Sequence, residues 1–83
     1  LVMTKEEKQT YRQHVKQTIE KCIELLGSIK ELSKATGFSI NSLANWINGK
    51  HDVTYANLMH IINTTAQLER ERIDRINNIE VNL

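Results

Sequence analysis

Residues 28–50 read SIKELSKATGFSINSLANWINGK and carry the signals for two short helices joined by a tight turn. Ser28 opens a capping box with the glutamate three residues later, in which the serine side chain accepts a hydrogen bond from a free backbone N–H at the start of a helix. Gly37 is expected to end this helix, because glycine readily adopts the left-handed conformation found there. Ser39 is placed to cap a second helix, which Gly49 ends.

Apolar and small side chains in this segment recur where a helix-turn-helix arrangement requires them. Counted from Ile29, the inward apolar residues are Leu32, Phe38, Leu43 and Trp46, the small residue at the helix crossing is Ser33, and the turn glycine is Gly37. Ile40 is an alternative to Leu43 as the first inward residue of the second helix. The inward position of Trp46 favours a core anchor over a stacking platform.

On these residues the chain resembles the Cro and phage-repressor (XRE-like) family of helix-turn-helix transcription regulators. The likeness is clearest in the turn Gly37-Phe38-Ser39 and in the ending Asn48-Gly49-Lys50, and it extends from residue 28 to about residue 66. Two residues differ from the family pattern: Ser33 replaces the usual alanine, and Thr36 stands where an aliphatic residue is usual. The resemblance implies an all-α, lambda-repressor-like DNA-binding domain of about five helices.

The resemblance also implies which residues meet DNA, because the second helix of the motif lies in the major groove and the start of the first faces the phosphates. The residues expected to contact bases are Ser39, Ile40, Asn41, Ala44 and Asn45. The residues expected to contact the phosphate backbone are Ser28, Lys30, Lys34, Ser42, Asn48, Lys50 and His51. Asparagine can bind adenine through two hydrogen bonds, and apolar side chains can contact the thymine methyl, so we expect an A·T-leaning half-site.

Further helices are expected on both sides of this segment. Thr4 and Glu7 form another capping box, and apolar residues then recur at spacings of three and four, which predicts a first helix over about 5–26. Its apolar stripe consists of Tyr11, Val15, Ile19, Cys22, Ile23 and Leu26. Thr54 caps a fourth helix, whose buried face is expected to include Tyr55, Leu58, Ile61 and Ile62. Beyond it, Thr64 and Gln67 can form a capping box, which favours a fifth helix over about 65–78 as much as one continuous helix.

The composition describes one small domain. The 83 residues include one cysteine and no proline, and the net charge is +1. We expect a single domain over residues 3–83, with Met3 as the native start and a C-terminal helical extension at 65–83. No apolar run is long enough for a membrane span or placed as a secretory signal. The expected location is therefore the cytoplasm of a bacterial cell or of the host cell of a phage, at the nucleoid, with no membrane partner.

The sequence offers no candidate catalytic residue, so an enzyme is not expected. His14, His51 and His60 lack the spacing and the companion ligands of a zinc site, so no metal is expected. Neither a cofactor nor a small-molecule substrate is indicated, because no phosphate-binding loop or nucleophile motif occurs. Cys22 lies in the apolar stripe of the first helix, which favours a buried, reduced thiol over a nucleophile.

The near-neutral charge and the C-terminal extension together favour a homodimer. One short recognition helix with a few lysines gives weak, salt-sensitive binding, whereas two copies on adjacent half-sites of double-stranded DNA multiply it. Ile73, Ile76 and Ile79 need covering and are the expected dimer contacts. The resulting hypothesis is a repressor of phage or mobile-element type on a palindromic operator.

A protein-binding role is the alternative that the sequence leaves open. The same scaffold can serve as a helical protein-interaction module, such as an antirepressor or an antitoxin-like subunit, because fold alone does not determine function. The net charge of +1 and the absence of arginine from the recognition helix favour this alternative.

Overall fold

The computed structural model describes residues 4–82, and within that range the chain forms four α-helices and no strand. Their bounds are α1 Lys5–Leu26, α2 Ile29–Thr36, α3 Ile40–Ile47 and α4 Tyr55–Asn82. The all-α prediction is therefore confirmed. Side chains are described for residues 4–79. Met3 and the last residues of the expected 65–83 extension lie outside these ranges.

Each helix begins at the capping residue that the sequence predicted. The side chains of Thr4, Ser28 and Ser39 accept hydrogen bonds from the backbone N–H three residues later, at 3.1, 3.2 and 3.1 Å. Thr54 does the same for the N–H of Asn57 at 3.2 Å. These caps satisfy backbone donors that have no partner inside their helix, and so they fix where each helix starts.

The domain of about five helices that the resemblance implied is not found, because the segment from Tyr55 to Asn82 is one continuous helix, which is the other alternative that the sequence left open. The capping box expected from Thr64 and Gln67 would need a helix start that does not occur. At the expected break, the hydroxyl of Thr65 donates to the carbonyl of Ile61 at 2.8 Å, and its side chain is buried. Burial against the core outweighs the weak helix propensity of this polar stretch.

The core lies where α1 and α4 pack together and where α2 and α3 close over them. Its buried apolar residues are Val15, Ile19, Cys22, Leu32, Leu43, Val53, Leu58 and Ile61. Burial of the Cys22 thiol agrees with the prediction. The expectation that Tyr55 is buried was wrong: its side chain is 73% exposed, because it lies on the first turn of α4 and points away from the core.

α4 is longer than the rest of the fold can cover. Near one end of α1, Arg12 binds Asp52, which lies just before α4, and at the other end Leu26 lies beside Leu68 of α4. The two helices therefore run in the same general direction, and α4 continues past the end of α1. We call residues 70–82 the overhang; its described side chains, 70–79, are all exposed. The overhang accounts for the elongated dimensions of 55 × 23 × 18 Å.

Candidate nucleic-acid interface

The turn between α2 and α3 is held by side-chain hydrogen bonds from α2. The hydroxyl of Ser33 donates to the carbonyl of Phe38 at 2.6 Å. The hydroxyl of Thr36 accepts from the N–H of Phe38 at 3.3 Å and donates to the carbonyl of Leu32 at 2.8 Å. Ser33 and Thr36, the two residues that differ from the family pattern, thus both bind the turn. Gly37 adopts a left-handed conformation with φ +83°.

Aromatic contacts connect this turn to α3 and to α4. The ring of Phe38 lies nearly perpendicular to the rings of Trp46 and His60, at centroid distances of 5.1 Å and 5.5 Å. Such edge-to-face geometry is favourable for aromatic pairs. The Nε2 atom of His60 lies 2.9 Å from the carbonyl oxygen of Thr36. Trp46 is half-buried and packs against the core, as predicted for an anchor.

α3 is fixed by one buried residue, and this determines what its opposite face presents. Leu43 is fully buried, whereas Ile40 is 46% exposed, so Leu43 is the inward residue of the two candidates. At about 100° per residue, Asn41 and Asn45 lie on the side of α3 opposite Leu43. Asn41 is exposed and Asn45 is half-buried.

The remaining residues of the predicted base-contacting set flank these two asparagines. Ala44 is half-buried on the adjoining side of α3 and Ser39 is exposed at its start. The hydroxyl of Ser39 caps the N–H of Ser42 at 3.1 Å and also donates to the hydroxyl of Ser42 at 2.9 Å. The two serines therefore bind each other at the start of α3 in the free protein.

The predicted phosphate-contacting residues fall into separate groups. Asn48, Lys50 and His51 lie together at the end of α3, where the N–H groups of Lys50 and His51 donate to the carbonyl of Asn45 at 2.9 and 3.3 Å. Lys30 is exposed in the first turn of α2, two residues after the Ser28 cap. Lys34 lies apart from them, in a shallow groove that it lines with Leu26, Ala35 and Leu68.

Basic residues of α1 adjoin the end of α3, and the sequence reasoning missed them. Arg12 and Lys16 line a shallow groove together with Ile47, Asn48 and Gly49. They are spaced four apart, and Lys8 precedes them by four more, so one exposed side of α1 is cationic. This periodic spacing was visible in the sequence, but the neighbouring α3 was not.

One of these cations is already paired within the chain. Arg12 binds Asp52, and their side chains are 48% and 60% exposed. The hydrogen bond from Arg12 holds the pKa of the Asp52 carboxyl below its ordinary value, and the nearby charges of Lys8 and His51 act in the same direction. The same contact raises the pKa of the Arg12 guanidinium. This ion pair joins α1 to the loop that follows α3.

Within residues 4–82, no three or more His, Cys, Asp or Glu side chains come together as metal ligands would. No helix of that part of the chain has the length and apolar character needed to cross a membrane. Comparisons of the chain with protein-family models, curated proteins and solved structures found no match.

Proposed function

We propose that the chain is a sequence-specific DNA-binding transcriptional regulator of the Cro and phage-repressor type, with a lambda-repressor-like domain. The observation that carries this proposal is the outward face of α3, which presents Asn41 and Asn45 opposite the buried Leu43. An α-helix fits into the major groove of B-form DNA. In this arrangement α2 and the turn hold α3 at the surface, and α3 supplies the base contacts.

The side chains on α3 favour A·T base pairs. An asparagine amide can donate to N7 and accept from the N6 amino group of one adenine, a pairing that distinguishes it from the other bases. The exposed methyl groups of Ile40 and the half-buried methyl of Ala44 are suited to the thymine C5-methyl. Ser39 and Ser42 can exchange their mutual hydrogen bond for one to a base edge or a phosphate.

Contacts with the DNA phosphates come from polar and cationic groups at the end of α3, on α1 and at the start of α2. Asn48, Lys50 and His51 lie at its end, Lys16 and Arg12, which is paired with Asp52, adjoin them on α1, and Ser28 and Lys30 lie at the start of α2. Each lysine or arginine that neutralises a phosphate releases condensed counterions, so affinity falls as salt rises. Lys34 contributes less, because its side chain lies in the groove toward Leu68.

Weak binding by one copy is the reason to propose a homodimer. The net charge of +1 provides little general attraction to DNA. Two copies related by a two-fold axis would place two α3 helices on half-sites about one helical turn apart, on a palindromic operator. The exposed isoleucines of the overhang, Ile73, Ile76 and Ile79, supply the apolar surface for this contact. A repressor of phage or mobile-element type binds its operator in this way.

A protein-binding module is the second candidate, and the exposed isoleucines also favour it. A face with Ile73, Ile76 and Ile79 exposed by 46–61% can bind an unrelated protein as well as a second copy. In that case α3 would be a polar surface helix, and the chain would act as an antirepressor or an antitoxin-like subunit.

Selection of duplexes from a random pool separates the two functions. We expect enrichment of an A·T-leaning palindrome whose affinity falls steeply between low and moderate salt. The folded protein should first be verified by circular dichroism, so that a negative result refers to the native fold. If the folded protein enriches no sequence, the regulator is excluded and the protein-binding module is favoured.

A further inference from the structure

An apolar groove runs between α1 and α4 on the side away from α3. Its volume is about 570 Å³, and its walls include Thr18, Cys22 and Leu25 from α1 and Ile62 and Ala66 from α4. Leu25 is 42% exposed and Ala66 is exposed, so the groove is open to solvent. Apolar walls of this kind are stabilised when another apolar surface removes them from water.

The groove and the overhang share one face of α4. Ala66, Ile73 and Ile76 follow Ile62 by 4, 11 and 14 positions. At about 100° per residue, these offsets place all four within roughly 40° of one direction. Ile62 and Ala66 form the groove wall, and Ile73 and Ile76 continue the same face past the end of α1 with 50% and 46% of their surface exposed.

We propose that the overhang of a second copy of this chain occupies the groove, and that the exchange is reciprocal. α4 is one unbroken helix, so the overhang cannot turn back into the groove of its own chain. With the two α4 helices antiparallel, a two-fold axis between groove and overhang places Ile76 of each copy against Ala66 of the other. Both apolar surfaces of both copies are then covered at once, and the assembly closes as a dimer.

The size of the contact favours this arrangement over pairing of the overhangs alone. A stable interface buries roughly 800 Å² on each partner. The 13 residues of the overhang are only about 20 Å long, and one helix is about 10 Å wide, so a pair of overhangs covers a fraction of that area. Docking in the groove adds the exposed α1 residue Leu25 and the α4 residues Ile62 and Ala66 to each half of the interface.

Two charged residues, Lys21 and Glu69, line the groove, and both are compatible with an apolar occupant. The carboxylate of Glu69 binds Arg72 of its own helix at 3.0 Å and is 19% exposed. Lys21 is 63% exposed and lies 3.9 Å from Glu24, so its ammonium remains in solvent at the rim. Neither side chain places an uncompensated charge on the floor of the groove, where Cys22 and Thr65 are buried.

This inference rests on the dimer in the proposed function and is independent of DNA binding. The dimer inferred here requires the groove, whereas the homodimer in the proposed function requires only the exposed isoleucines of the overhang. Apolar contacts of this kind are insensitive to moderate salt, unlike contacts with phosphates. Association measured without DNA therefore tests the groove separately from the regulator hypothesis.

The first experiment compares a groove variant and an overhang variant by light scattering and sedimentation at micromolar concentrations. We expect the wild-type chain to have the mass of two copies, and both Ala66→Arg and Ile76→Asp to have the mass of one. Ala56→Arg and Asn78→Asp are the matched controls, since both positions are exposed on α4 and neither lies on the groove face. Both controls should remain dimeric, and circular dichroism should show all four variants folded.

Mixing the two variants tests whether the exchange is reciprocal. In an equimolar mixture of Ala66→Arg and Ile76→Asp, one groove and one overhang are both unaltered and can join. The other contact places the introduced arginine beside the introduced aspartate. We therefore expect the mixture to recover the mass of two copies, although each variant alone is monomeric.

Three outcomes would overturn the inference. If the wild-type chain is monomeric, both the dimer and its groove contact are refuted, while the DNA selection can still succeed. If Ala66→Arg is dimeric while Ile76→Asp is monomeric, the dimer is retained but its contact with the groove is refuted. If the equimolar mixture of Ala66→Arg and Ile76→Asp stays monomeric, the reciprocal exchange between groove and overhang is refuted.

Discussion

The guanidinium of Arg12 donates two hydrogen bonds to the carboxylate of Asp52, from Nε to Oδ1 at 2.9 Å and from Nη2 to Oδ2 at 3.4 Å. The two residues are 40 positions apart in the sequence. The pair joins α1 to the loop between α3 and α4. Exposed ion pairs contribute little stability, so we assign it mainly to orienting this loop.

The contribution of this pair should depend on pH. A carboxyl whose pKa is lowered in the folded state stabilises the fold above its unfolded-state pKa of about 3.9, and this stabilisation is lost as the pH falls through the folded-state value. We expect Asp52→Asn to lower the melting temperature slightly at neutral pH and to match the wild type in strong acid. Thermal unfolding followed by circular dichroism measures this, with Asp74→Asn as the control. A difference that persists in acid would contradict the assignment.

Thr36→Val should destabilise the turn despite its similar shape. The substitution removes the acceptor for the half-buried N–H of Phe38, and leaving such a donor unpaired costs roughly 1 to 2 kcal/mol. Two other threonines provide controls, because their hydroxyls donate to a carbonyl within their own helix and accept no backbone N–H: Thr10, which is exposed, and Thr65, which is buried. Thr10→Val and Thr65→Val should be nearly neutral in urea unfolding. A loss in all three would point to helix propensity instead.

Gly37→Ala should destabilise the fold through backbone conformation alone. A Cβ atom added at this position would meet no atom within 4 Å, but the backbone has φ +83°. That left-handed conformation costs a residue with a Cβ atom roughly 1 to 2 kcal/mol. Gly37→Asn should lose less, because asparagine tolerates this region. Urea unfolding of both variants measures the difference, and equal losses would argue against a purely conformational cause.

Asn41→Ala and Asn45→Ala should reduce operator selectivity without unfolding the protein. One asparagine pairing with adenine discriminates against the wrong base by roughly 1 to 3 kcal/mol, so selectivity at that base pair should fall by about 5- to 150-fold. The measurement is competition between the selected operator and single-base variants. Asn63→Ala, at an exposed position of α4, is the control. Unchanged base preference in both α3 variants would refute their role as base contacts.

Local signals in the sequence predicted most of the helix boundaries. Thr4, Ser28, Ser39 and Thr54 each cap the helix that their sequence neighbours indicated. A cap depends on residues three positions away, so one stretch of sequence contains all the information. Leu43 as an inward residue followed from the helix-turn-helix frame, which is also confined to one stretch of sequence.

The errors concern features that depend on distant residues. α4 is continuous because Thr65 is buried against α1 and the core. No residue near Thr65 in the sequence indicates this burial. The contact of His60 with the carbonyl of Thr36 crosses 24 positions, and the Arg12–Asp52 pair crosses 40. For the candidate site, Asn41 and Asn45 were expected from the family resemblance, whereas the cations of α1 beside α3 depend on how α1 packs against α3.

Because α4 is continuous, the position of the overhang isoleucines along the helix axis and their direction around it are linked. One residue inserted at the start of the overhang would advance the isoleucines by about 1.5 Å and rotate them by about 100° away from the groove face. Seven inserted residues would restore the rotation to within about 20° while moving the contact about 10 Å outward. In the proposed dimer, such an insertion would change the distance between the two α3 helices and their relative rotation around the DNA axis together. The length of the insertion would therefore determine the spacing of the half-sites that the dimer can bind.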